Sequence, residues 1–308
     1  MVVPHDGDNA HTAFDALDDA GALPIVVIGL AEPGARPAAP SSVFDLVLDD
    51  TTALDTTLAT IERNPVASVS LAVLLRGSAR LPIEHALAAE SAVYSMLQAG
   101  REAVSWRAAH ERALPPLSTD PAVLATRDGD ALLITLNRPQ RHNAFSRDLR
   151  DGLCEMLALA VSDDSITSVV LSGNGPSFCS GGDLGEFGTF GDPAAAHQTR
   201  LARSAARLMA RLAPRLRVHL HGACMGAGIE LAAFAAEVVA HPDSSIALPE
   251  IGLGLVPGAG GTASITRRVG RQRCAELALG GVAISAATAL SWGLIDTISP
   301  TRAAASRP

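Results

Sequence analysis

Apolar and polar positions along the 308-residue chain change period several times, and each change marks an element. Residues 1–20 are polar. Leu23–Leu30 (LPIVVIGL) is a short apolar run of strand length, and the Pro-rich stretch Ala31–Ser42 follows as a loop. Next come a strand in VFDLVLDD (43–50), a helix over Thr52–Arg63, and an apolar run, Val66–Leu75, read as a strand. Residues 82–113 carry helical spacing, interrupted near Gly100 and ended by Pro115-Pro116. On that helix Ala86, Ala89, Ala92, Met96 and the lone Tyr94 form the expected covering stripe. A boundary is expected near 117–123.

Beyond it, AVLATRDGDALLITLNRP (122–139) reads as a hairpin around Asp128-Gly129. A helix over Ser146–Val161, a strand in SITSVVLSGNG, a helix through residues 194–213, the strand RLRVHLHGA and a strand in EVVAHPDSSIALPE follow. Strands and helices alternate, so the class is α/β with right-handed crossovers. The pair of helix 52–63 with run 66–75 echoes helix 146–161 with strand 166–172, which raises the idea of an internal duplication.

Composition narrows the function. The net charge is −8, with no basic run for a nucleic acid to meet. The start lacks the basic and apolar regions of a signal peptide, and no apolar stretch is long enough to span a bilayer. Four scattered cysteines, Cys154, Cys179, Cys224 and Cys274, read as reduced thiols, and the expected location is cytoplasmic. All 24 basic residues are arginines, which excludes a P-loop lysine and any lysine Schiff base.

Two glycine-rich turns carry the candidate chemistry. Ser180-Gly181-Gly182-Asp183 follows one strand, and Gly226-Ala227-Gly228 follows another and opens a helix. Each exposes backbone N–H groups, and one donor from each turn would form an oxyanion hole. Glu230 stands alone among small apolar residues beside the second turn, and Glu250 ends the strand that follows. Two carboxyls in apolar surroundings are suited to activating water and moving a proton. Taken singly, such turns and glutamates are more often packing and helix-end devices. Leu231 stands where a dinucleotide fingerprint needs its third glycine, and Ser172, Asp183 and His142 lack a nucleophile elbow. His219 and His221 share a strand face, but no third ligand matches, so no metal is expected.

In order and spacing, ITLNRPQRHNAFS, VVLSGNGPSFCSGGDL, HGACMGAGIELA, IALPEIGLGLVPGAGGT, RRVGRQRCAELALGG and SAATALSWGLID resemble the crotonase (enoyl-CoA hydratase/isomerase) superfamily over residues 121–298. The resemblance implies a crotonase-like core of repeated ββα units at 121–300. An additional N-terminal α/β region occupies 1–120 and a short tail 301–308. It implies an acyl-CoA thioester whose carbonyl oxygen accepts from the N–H groups of Gly182 and Ala227. Glu230 then activates the water that attacks C3, and Glu250 exchanges a proton with C2. Arg138, Arg141, Ala144, Ser180, Asp183 and Leu184 match positions around the CoA and acyl groups; Arg147 adds charge nearby. Asp183 reads as an acceptor that steadies its loop. No cofactor beyond the CoA of the substrate is implied, and a homo-oligomer, trimer or hexamer, is expected.

The alternatives are double-bond isomerisation, other crotonase-type acyl-CoA chemistry, or a degenerate scaffold acting through partners. Members of the family continue past the WGLID position with helices that cover the active site and build trimers. Here ten residues follow Ile298, so the N-terminal helices are expected to provide that cover. Residues around Leu184–Phe190 are expected to set the length and shape of the acyl group, and the Gly-rich stretch GEFGTFGDPAAAH (185–197) to act as a mobile lid.

Overall fold

The computed structural model describes residues 2–4, 23–35, 42–110, 118–189 and 191–301. Its centre is a six-stranded sheet in the order β12-β9-β7-β6-β5-β4. These strands are β4 (Val123–Asp128), β5 (Ala131–Leu136), β6 (Ser168–Gly173), β7 (Leu216–Leu220), β9 (Glu237–Ala240) and β12 (Thr297–Ile298). All pairs are parallel except β4–β5, the hairpin closed by Asp128 opposite Ala131. Gly129 takes the positive φ, +59°, that this two-residue turn requires.

A second, smaller sheet builds the site. Its order is β11-β10-β8, from β8 (Ala223–Met225), β10 (Ser245–Ala247) and β11 (Ile284–Ser285). The parallel β8–β10 register sets Met225 beside Ala247, so the turn after β8 and the loop after β10 leave the sheet at the same end.

The N-terminal part contains a parallel sheet, β1 (Val2–Pro4), β2 (Ile28–Leu30) and β3 (Leu46–Leu48). Helices α1 (Thr51–Arg63), α2 (Pro65–Ser78), α3 (Ile83–Gln98) and α4 (Arg101–Ala109) follow. The core helices are α5 (Arg147–Ser162), α6 (Pro193–Ala202), α7 (Ala205–Leu212), α8 (Ala227–Ala232), α9 (Gly261–Leu279) and α10 (Ala286–Trp292). In α5, Leu149, Leu153 and Leu157 recur every four residues and are buried, as a one-sided helix demands.

Three expectations are corrected. The run read as a strand at Val66–Leu75 is helix α2. Its buried positions, Ala67, Ser68, Leu71, Ala72, Leu74, Leu75 and Ser78, follow helical spacing, while Val66 and Val73 face solvent. Pro65 sits at the start, where its missing N–H costs nothing, and Glu102 of α4 accepts from the Val66 and Ala67 N–H groups at 2.8 and 3.0 Å. The duplication idea falls with that strand. The helix expected through 194–213 is two, α6 and α7, because Ser204 caps a new start. The single strand expected in 237–250 is β9 and β10, separated by a turn.

The expected boundary near 117–123 falls partly on residues 111–117, outside the described residues. Apolar residues from both sides of it belong to one continuous core. Asp45, buried ahead of β3, pairs with Arg76 of α2 at 2.7 Å and Arg271 of α9 at 3.2 Å, which ties the N-terminal part to the core. Among the described residues no single helix is long and apolar enough to cross a membrane.

Candidate active site

The two glycine turns meet at one cavity. Phe145 N–H donates to Gly181 O at 2.7 Å and Asp183 N–H to Phe145 O at 3.3 Å. These bonds pin Gly182 with its own N–H on the other side of the chain. After β8, Gly226 adopts φ +46° and donates its N–H to Ala247 O at 2.9 Å; α8 then starts at Ala227. Among the described residues neither the Gly182 nor the Ala227 N–H has an acceptor. Both residues line the cavity together with Glu230 and Glu250.

Glu230 is 1% exposed. Its Oε2 accepts from the N–H groups of Ala259 (2.7 Å) and Gly261 (2.9 Å), which fixes the carboxyl and leaves Oε1 unengaged. Glu250 follows β10 and is 8% exposed. A Cβ placed on Gly226 would lie 2.2 Å from its Oε1, so the carboxyl rests directly on the turn that presents Ala227. Its Oε2 is buried with no hydrogen-bond partner. Burial pushes the Glu250 carboxyl up to about 8, with the charge of Glu90 adding to it. Glu230 is raised well above the usual carboxylate range by burial, then by the charges of Glu250 and Glu90.

Glu90 is the residue that the sequence reading missed. It lies on α3, is 2% exposed and lines the same cavity. Its Oε1 accepts from Gly260 N–H at 2.7 Å; its Oε2 accepts from Thr262 N–H at 2.9 Å and Thr262 Oγ1 at 2.6 Å. Burial raises it to about 7 against these stabilising bonds. The signal was present: Glu90 is the one charged residue between His85 and Arg101, as solitary in its segment as Glu230 is in 222–236. Tyr94, Ser91 and Leu87 of α3 also line the cavity.

The face of α3 that turns inward therefore differs from the expected stripe. Ala86, Leu87, Glu90, Ser91, Ser95 and Leu97 are buried, whereas Ala92 and Met96 (54% exposed) face solvent. Of the expected stripe Ala86, Ala89 and Tyr94 do turn inward; counting apolar residues misplaced Ala92 and Met96 because the inner face also carries hydroxyls and a carboxyl.

The remaining expected residues divide. Asp183 lines the cavity and accepts from Gly185 N–H at 3.0 Å. Arg141 donates to its Oδ1 at 2.7 Å, while Oδ2 lies at ion-pair distance, 2.7 Å, without hydrogen-bond alignment. Arg138 lies off the cavity wall and spends its guanidinium on Asp148 and on the carbonyls of Asp120, Pro121 and Asn137. Ala144, Ser180 and Leu184 also lie off the wall, although their neighbours Phe145 and Phe187 form part of it. Phe187, from the expected lid, lies against Gly182; Phe190 falls outside the described residues. His221 is buried with Nε2 3.1 Å from Gly175 O. The thiols of Cys179, Cys224 and Cys274 are buried and pushed up by that burial.

A family model described as enoyl-CoA hydratase/isomerase matches residues 127–306. The 2,3-dehydroadipyl-CoA hydratase of Escherichia coli is 38% identical over 178 residues, 58% of this chain and 69% of that protein. A mevalonyl-coenzyme A hydratase of Beauveria bassiana is 36% identical over 180 residues, 55% of this chain and 63% of that protein. The crystal structure of an enoyl-CoA hydratase from Thermoplasma volcanium superposes with a TM-score of 0.53 at 32% identity, covering 59% of this chain and 73% of that one. The match thus spans roughly two thirds of each relative, and residues 1–126 stand outside the family model. With more than half of its length in that match, the chain belongs to the enoyl-CoA hydratase/isomerase family.

Proposed function

We propose that the cavity binds a 2-enoyl-CoA and adds water across its double bond to give a 3-hydroxyacyl-CoA. The observation that carries this reading is the pair of buried carboxyls, Glu230 and Glu250, facing one cavity with two unpaired backbone N–H groups. Hydration needs one carboxyl to take a proton from water and another to deliver one. Two carboxyls raised above the usual range by burial, Glu230 further by the charge of Glu250 and both by that of Glu90, serve as such a pair.

In this reading the thioester oxygen accepts from Gly182 and Ala227, so charge that spreads onto it is met by fixed dipoles. Water rests on Oε1 of Glu230, whose other oxygen is already held, and attacks C3. Glu250, leaning on the Gly226 turn, gives its proton to C2. The electrons of the double bond form the new C2–H bond as C3–O forms, so the addition is redox-neutral and draws on no electron carrier.

We also assign to α3 the covering role of the helices that the family carries after its core. Leu87, Glu90, Ser91 and Tyr94 form one wall of the cavity, although they precede the core in sequence.

The test is loss of the enoyl-thioester absorbance when the protein meets crotonyl-CoA. Hydration should fall by about a hundredfold or more in both Glu230→Gln and Glu250→Gln. Shift of a 3-enoyl-CoA double bond that survives Glu230→Gln would identify an isomerase instead.

A further inference from the structure

Four arginines line the cavity: Arg147, Arg150, Arg200 and Arg203. Arg147 pairs with Glu186, and Arg150 and Arg203 both pair with Asp151. Arg200 alone among them makes no ion pair with any described residue. It is half-buried, and burial is the largest influence on its ionisation, ahead of attraction to Tyr94 and Glu90. Glu90 attracts Arg200 from beyond ion-pair distance, its oxygens accepting instead from Gly260 and Thr262.

Arg200 is nevertheless held firmly. Its Nε donates to Ser91 Oγ at 3.1 Å and its Nη2 to Ser95 Oγ. Weaker contacts of 3.4 Å reach Gln98 Oε1 and Ser91 O, and the guanidinium lies 4.8 Å from the centre of the Tyr94 ring. The hydroxyls are themselves tied: Ser91 Oγ to His197 Nδ1 at 2.9 Å, Ser95 Oγ to Pro193 O at 2.8 Å. Every holder of the guanidinium is neutral and comes from α3. These contacts fix its direction without an ion pair to any described residue, so an anion arriving there meets a donor already oriented.

The position says which part of a ligand would supply that anion. The Tyr94 ring, with Arg200 4.8 Å from its centre, sets its edge against Gly258, next to the Ala259 N–H that holds Glu230. The fields of Glu230 and Glu250 both reach Tyr94. Arg200 is thus joined through one aromatic ring to the loop that fixes Glu230, on the side of the cavity walled by α3.

We propose that the acyl group taken by this cavity ends in a carboxylate, read by Arg200: the substrate class is a short ω-carboxy-2-enoyl-CoA. This deepens the hydratase reading and rests on it. The reaction is unchanged, with OH added at C3 and H at C2, and the distal carboxylate takes no part in bond making.

The experiment compares a six-carbon 2-enoyl-CoA with its ω-carboxy counterpart in the full-length protein, as wild type, Arg200→Met and Arg200→Lys. The expected result is a kcat/KM ratio favouring the ω-carboxy compound by about tenfold or more in wild type. That ratio falls toward one in Arg200→Met and is partly restored in Arg200→Lys. A wild-type ratio at or below one overturns the proposal. So does an Arg200→Met effect that is equal on both compounds, which would place Arg200 on the CoA phosphates or in the fold alone. Calorimetric binding of the saturated six-carbon acyl-CoA and its ω-carboxy analogue is measured in parallel. If neither enoyl compound is hydrated, the hydratase reading fails by itself, and the binding preference and its loss in Arg200→Met still decide what Arg200 reads.

Discussion

Glu90 and Glu230 take alternate N–H groups of one stretch of backbone. Glu230 accepts from Ala259 and Gly261, Glu90 from Gly260 and Thr262. Four consecutive donors at the start of α9 are shared between a carboxyl of α8 and a carboxyl that precedes it by 140 positions in the sequence. Because each grips the same strip of chain, the place of Glu230 depends on Glu90.

Glu90→Gln tests that dependence. An amide keeps the shape but accepts through one oxygen only, so its NH2 faces either the Gly260 N–H or the Thr262 donors. The expected cost is about 1–3 kcal/mol of stability for the unmet buried group, measured by urea unfolding. Hydration should fall as well, since the loop that fixes Glu230 loosens. A variant with wild-type stability and rate would show that the shared grip is incidental.

The pH dependence of activity follows from the acid role given to Glu250. Its proton is retained up to about 8, so kcat/KM should decline on the alkaline side near that pH. In Glu90→Gln a negative charge facing Glu250 is gone, and the alkaline limb should move to lower pH. A limb that stays fixed in the variant would separate Glu90 from the electrostatics of the pair.

Stability should change with pH in the same window, in a definite direction. Glu90 and Glu250 are raised from 4.5 to about 7 and about 8, so the folded protein binds protons more tightly than the unfolded chain. Their contribution is complete below about 4.5 and is lost as pH rises through 7 to 8. The Tm should fall between pH 5 and pH 9. Glu250→Gln should flatten that slope and be the more stable protein at pH 9, because the carboxyl it replaces has one buried, unpartnered oxygen. A Tm that climbs over this range would contradict the burial of both groups.

Space at the glycine turns yields a further prediction. A methyl group at Gly226 would meet Glu250 Oε1 at 2.2 Å, at a φ that L side chains rarely adopt. At Gly182 it would meet the Phe187 ring at 2.9 Å. Gly226→Ala should therefore abolish most activity, by about a hundredfold or more, through displacement of the acid. Gly182→Ala should act more mildly, since a ring edge can yield, and should weaken substrate binding through Phe187. Equal, small effects on KM and kcat in both would show that neither turn touches the reacting groups.

The candidate site residues that were legible in the sequence are those that break a local pattern. Glu230 and Glu250 stood out as carboxyls in apolar segments, and Gly182 and Gly226 as small residues where strands end. The β4–β5 hairpin and α5 followed from an Asp-Gly turn and a four-residue leucine repeat. Glu90 obeyed the same rule as Glu230 but was passed over, because α3 was judged by its alanines and methionine. Its working face is half polar, and its partners lie about 100 to 170 residues away. Helix α2 was mistaken for a strand since its apolar residues wrap around more than one face, which hides the period. Arg138 matched a CoA position by motif, yet its charge is met by Asp148 and three carbonyls, which only tertiary contacts reveal.

The placement of α3 ahead of the core has a consequence for how the protein is made. A ribosome releases Glu90, Ser91 and Ser95 long before their partners: Pro193 trails Ser95 by 98 residues and Thr262 trails Glu90 by 172. At ordinary elongation rates that delay is on the order of ten seconds, during which the helix carries an acid and two hydroxyls with nothing to hold. A nascent chain arrested anywhere before residue 261 has Glu230 without its final grip. The candidate site thus closes late and in one step, when α9 emerges and meets a helix made 172 residues before it.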